Sequence, residues 1–168
     1  MKQMTRFFAL ATVMLAFWVN SFGQSATATA TATILTPITL TKTIDLNFGN
    51  IFASIAGGTV TVAPDNTRGF SGVTLPVTPG TVTAASFTVT GTGTATYAIT
   101  LPPVATTITN VASNTMTVDT WISTPTTTGI LTAGTQTLTV GATLHVGANQ
   151  PAGIYVSGTP FSVTVGYN

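Results

Sequence analysis

Cysteine and glutamate are both absent from this 168-residue chain, and charged residues of all kinds make up only 4% of it. Without cysteine there is no disulfide framework and no lipid-modified N-terminal cysteine, so a packed core has to supply the stability. Ordinary globular domains carry about 25% charged residues. With so few cations there is no basic patch to neutralise phosphates, which excludes nucleic-acid binding. Nor is there a polybasic stretch to hold an anionic membrane surface. One histidine and no thiolate make a poor transition-metal site. Calcium needs clustered carboxylates, and Asp65-Asn66 stands alone in a turn-like stretch. No cofactor and no metal are expected, and general acid–base catalysis has almost no titrating groups to use.

What is present begins with an export signal. Lys2 and Arg6 precede an apolar run from Phe7 to Val19, and Ser21 and Gly23 follow as small residues at signal-peptidase spacing. The run is shorter than the roughly 20 apolar residues that cross a bilayer. Residues 1–23 therefore read as a signal peptide cleaved after Gly23, leaving a chain with no membrane insertion of its own. Its expected location is the periplasm, the cell surface or the extracellular space. The mature charges are Lys42 and Arg68 against Asp45, Asp65 and Asp119, one carboxylate more than the cations. Whatever retains such a protein at a surface is another protein or further copies of itself.

The mature part is apolar enough to fold, with 44% hydrophobic residues and a mean hydropathy of +0.50. Threonine is about a quarter of it, and branched side chains favour strands. Apolar and polar residues alternate in run after run. Ala26, Ala28, Ala30, Ala32 and Ile34 share one phase, and after Pro37 so do Ile38, Leu40, Ile44, Leu46 and Phe48. Lys42 interrupts that phase, which predicts a strand end or bulge beside it. Val73, Leu75 and Val77, then Ala85, Phe87 and Val89, then Ala95, Tyr97, Ile99 and Leu101 continue the pattern. Met116, Val118 and Ile122 mark a further strand, Leu138, Val140, Ala142, Leu144 and Val146 the clearest one, and Phe161, Val163, Val165 and Tyr167 the last. Glycine and proline punctuate these segments, so the expectation is an all-β sandwich of nine or ten antiparallel strands. Residues 24–37 read as an N-terminal extension and 38–168 as the sandwich domain.

Candidates for chemistry are few. His145 falls in the threonine-bearing phase of its strand, which reads as a solvent-facing histidine, and no strained nucleophile turn accompanies it. The chain is therefore expected not to be an enzyme. Trp121 is the candidate for stacking on a ligand such as a sugar. Its phase is opposite to that of Met116, Val118 and Ile122, although packing in the interior is the commoner use of tryptophan.

Several stretches carry a family resemblance: Leu46-Asn47-Phe48-Gly49-Asn50-Ile51, Gly58-Thr59-Val60-Thr61-Val62, Ala85 to Gly91, and Thr96 to Pro102. Val140 to Leu144, Gln150 to Tyr155 and Phe161 to Tyr167 complete it. Together, over nearly the whole mature chain, they resemble the secreted bacterial family called domain of unknown function 4402. That family is similar to spore-coat-U-like and chaperone–usher pilin subunits, which implies an immunoglobulin-like sandwich and a structural role. It also implies strand donation, in which an extended segment of one subunit completes a neighbour's open sheet. The residues that would serve it are Ile34, Ile38 and Leu40 as donors, and Phe161, Val163, Val165 and Tyr167 in the C-terminal strand. The implied partners are copies of itself or other exported subunits, and a periplasmic chaperone. The disulfide usual in such pilins is missing, and much of the extension is alanine, which buries little area. The alternative function is a stand-alone cell-surface adhesin or carbohydrate-binding module.

Overall fold

The computed structural model describes residues 23–168, so the expected signal peptide lies outside the described residues apart from Gly23. The chain divides into two units, Met1–Thr33 and Ile34–Asn168. The described part of the first, residues 23–33, is exposed and carries no strand.

The second unit is all-β and antiparallel. Its strands are β1 (Thr39–Ile44), β2 (Asn47–Phe48), β3 (Gly58–Val62), β4 (Arg68–Ser71), β5 (Val82–Thr83), β6 (Ala85–Thr90) and β7 (Thr96–Thr100). They continue as β8 (Thr106–Thr109), β9 (Thr115–Thr124), β10 (Thr128–Ile130), β11 (Thr135–Val146), β12 (Val156–Ser157) and β13 (Thr164–Tyr167). The large sheet runs β1-β6-β11-β9-β8-β12, with β3 and then β4 attached beside β11; a second sheet runs β10-β7-β13, and β2 pairs with β5. The thirteen described segments exceed the nine or ten expected because two-residue pairings such as β2, β5 and β12 leave no alternating signature.

The twelve-residue β11 is the spine of the molecule. Residues 135–140 pair with β6, and 142–146 pair with β3 along the same edge. Gly141 sits at the exchange, where a Cβ would run into the backbone carbonyl of Val62. Leu138, Val140, Ala142 and Leu144 point inward and are buried, whereas Thr135, Thr137 and His145 face solvent. One core cluster joins Phe87, Val89, Leu138 and Val140 of the large sheet to Tyr97 of the second sheet, and so makes the sandwich. A second cluster gathers Val60, Val73, Val118, Ala142, Leu144 and Val146 under the loops around β2 and β5. Burial of this kind contributes about 25 cal/mol per Å2 of apolar surface.

Two local departures from simple alternation matter. The pairing of β1 with β6 shifts between Lys42 and Ile44, beside the cation that breaks the apolar phase. The stretch Val73–Val77 forms no strand beyond the Phe52–Thr74 bridge, and Val77 is fully exposed. Pro76 and Pro79 cannot donate to a ladder, which explains why the apparent alternation there yields no strand.

Candidate functional site: the free edge of β13 and the segment before β1

The C-terminal strand pairs on one side only. β13 matches Thr164 to Thr100 and Tyr167 to Tyr97 of β7, and among the described residues no strand lies along its other edge. Phe161, Val163, Val165 and Tyr167 all turn toward the first core cluster, yet each stays partly buried. Their counterparts on β6 and β11, such as Val89 and Leu138, have no exposure at all. The core is therefore closed in its middle and open along β13.

Across this opening lies β1, the edge of the other sheet, which approaches β13. Leu40 of β1, and Ile38 just before it, pack partly buried on the same cluster. Leu40 is held in the β1–β6 ladder, and Ile38 lies just ahead of it. Donating Leu40 to a neighbour would require opening that ladder. Ile34 is different, with 97% of its surface exposed. Pro37 divides the two groups. The family resemblance grouped the three aliphatics as donors; Leu40 lies in a ladder, Ile38 just ahead of it, and Ile34 is exposed.

A hydrogen-bonded clasp fixes the chain where it enters β1. The Tyr167 hydroxyl donates to the Thr36 carbonyl at 2.8 Å and accepts from the Thr92 backbone N–H at 2.7 Å. The Thr36 backbone N–H in turn donates to Thr92 Oγ1 at 2.8 Å. Gly91 is required here, because a Cβ at that position would meet the Tyr167 hydroxyl. Sequence reading picked out Tyr167 by its penultimate place but missed Thr36 and Thr92. Their pairing spans most of the chain and leaves no local signal.

Trp121 is not laid out on the surface. β9 and β11 shift register between the Ile122–Gly141 and Asp119–Thr143 pairs, so β9 has an extra residue, and Thr120 takes a φ of 51°. This bulge reverses the phase of the strand. Trp121 thereby comes to the inward side with Val118, and Ile122, read from sequence as interior, becomes 40% exposed. The indole meets Phe161 with ring centroids 4.4 Å apart and planes inclined at 36°, a packing contact between the sheets. Its Nε1 is buried without a hydrogen-bond partner.

Titrating groups contribute little beside this edge. His145 does face solvent, and its Nε2 lies 2.8 Å from Asp119 Oδ1 on the neighbouring strand. That hydrogen bond, with a smaller contribution from Thr120, holds the Asp119 carboxyl below its ordinary range. Among the described residues the other ion pair is Lys42–Asp45, and no three potential metal ligands gather. Arg68 donates to the Asn50 carbonyl, and burial lowers its pKa.

No curated protein and no solved structure matches the chain. Residues 38–167, from the residue before β1 to the end of β13, match the family described as Domain of unknown function (DUF4402). The chain belongs to that family.

Proposed function

We propose that this protein is an exported, non-enzymatic structural subunit of a surface fibre or coat, and that copies join by strand donation. The Ala26–Ile34 segment of one copy adds along the free edge of β13 in the next, between β13 and β1. Its partners are other copies or other exported subunits, with a periplasmic chaperone covering the edge before assembly. Exposed sheet edges template pairing, and proteins usually blunt them with charge, proline, bulges or shortness. β1 has Lys42 and a bulge, β4 has Arg68, and β10 and β12 are only two or three residues long. The four residues of β13 have none of these guards. That unguarded edge, over a core left partly open, is the observation that carries the reading.

The alternative, a carbohydrate-binding module built on Trp121, has less support because that ring is occupied by Phe161. Size-exclusion chromatography of residues 24–168 and 34–168 tests the proposal. The shorter form keeps Thr36 and its clasp. The longer form should assemble and the shorter should stay monomeric; two identical monomers would overturn donation.

A further inference from the structure

At the far end of the β7–β13 ladder from Tyr167, the two strands part. The register that sets Thr164 against Thr100 would next set Ser162 against Pro102 and Pro160 against Val104. Pro102, Pro103 and Pro160 have no N–H to donate, so the ladder stops and the segments splay. Between them opens a cleft of about 530 Å3, bordered by Thr106 and Thr107 of β8 and containing Phe161. Small-ligand sites occupy roughly 300–1,000 Å3.

The chemistry of the cleft is narrow. No charged side chain lines it. Its apolar surfaces come from Phe161, the prolines, Val104 and Ala105, and its side-chain polar groups are threonine and serine hydroxyls. The prolines add carbonyls but no N–H groups, so backbone acceptors outnumber backbone donors. Phe161 also packs against Trp121, with ring centroids 4.4 Å apart.

We infer that this cleft binds a neutral sugar chain, with Phe161 as the stacking platform. A sugar ring offers an apolar C–H face to the aromatic and proline rings, and many O–H donors to the carbonyls and hydroxyls. A charged ligand would lose its hydration here with no counter-charge in return. An added peptide strand would need a run of free backbone N–H groups, which the prolines remove. The site goes beyond the assembly reading, and a monomer carries all of it.

The test uses the full chain carrying Trp18→Phe, so that Trp121 beneath Phe161 is the only indole. It is titrated with cellohexaose, maltohexaose, xylohexaose and chitohexaose, and with heparin as the charged comparison, following tryptophan emission and calorimetry. At least one neutral hexasaccharide should give a saturable emission change. Phe161→Ala should weaken that binding at least about tenfold, and Phe161→Tyr should preserve it. Should Phe161→Ala fail to fold, Thr107→Val supplies the second variant: it is exposed and strand-compatible, and should also weaken binding. Failure of all four sugars to bind, unchanged affinity in the folded variants, or preference for heparin would overturn the inference.

Discussion

Ile34→Ala separates assembly from folding. Within its own domain Ile34 is 97% exposed, so truncation removes no internal packing, and stability should stay within about 0.5 kcal/mol of the parent. In a donated strand the account differs. Ala26, Ala28, Ala30 and Ala32 each offer one methyl group, at about 0.8 kcal/mol, while a fully buried isoleucine contributes about 1.5–3 kcal/mol. Ile34 thus supplies about a third to a half of the apolar gain, and the ordering and association costs run to several kcal/mol. Reducing it to alanine removes about 1.5 kcal/mol, which weakens association roughly tenfold. Sedimentation velocity of residues 24–168 across a concentration series should show the association midpoint move by that factor. Thermal unfolding of the two proteins at a monomeric concentration should coincide. An unchanged midpoint, or a clear loss of thermal stability, would refute the reasoning.

Three further outcomes follow from the packing and hydrogen bonds. Leu138→Ala, in the closed centre of the sandwich, should cost about 2–5 kcal/mol by urea denaturation. Tyr167→Phe leaves the Thr92 N–H and the Thr36 carbonyl without their 2.7 and 2.8 Å partner, and should cost about 1–3 kcal/mol in the same assay. The lowered carboxyl of Asp119 adds stability that is fully present above the ordinary value of about 3.9 and fades as pH falls through the lower folded value. Asp119→Asn should therefore flatten the stability profile on its acid side, by less than about 1 kcal/mol because both partners are half exposed. Urea midpoints between pH 2 and 7 measure it.

Sequence was most legible where alternation ran unbroken. Leu138 to Val146 were read as the inward face of one strand, and those positions are the spine of both cores. Reading failed where a single extra residue reversed the phase. Nothing local to Asp119-Thr120-Trp121 announces a bulge, so phase alone turned Ile122 inward and set Trp121 opposite to it, while the general preference of tryptophan for packing pointed the right way. The same limit hid the Asp119–His145 contact and the clasp around Thr36, each made by residues far apart in the chain. Among the proposed assembly residues, the family resemblance grouped Ile34 with Ile38 and Leu40 as donors, although Pro37 sets Ile34 apart from the other two. Only the pairing of β1 with β6 shows which of them the domain keeps for itself.

The scarcity of charge and the open edge bear on each other. A chain with only four cationic side chains, Lys2, Arg6, Lys42 and Arg68, has little means of guarding its edges with charge. Beside Lys42 on β1 and Arg68 on β4 it uses very short outer strands and a bulge, and the edge of β13 has none of these. Threonine keeps the outer faces wetted without charge, as in the Thr39–Thr90 and Thr61–Thr143 hydroxyl pairs across neighbouring strands. Such a surface gives no electrostatic repulsion between copies, so nothing opposes close approach once two molecules meet. For a protein that stays single this combination would be an aggregation hazard. For a subunit whose tail matches its neighbour's edge, low charge removes the main barrier to stacking, and the unguarded strand confines pairing to one place.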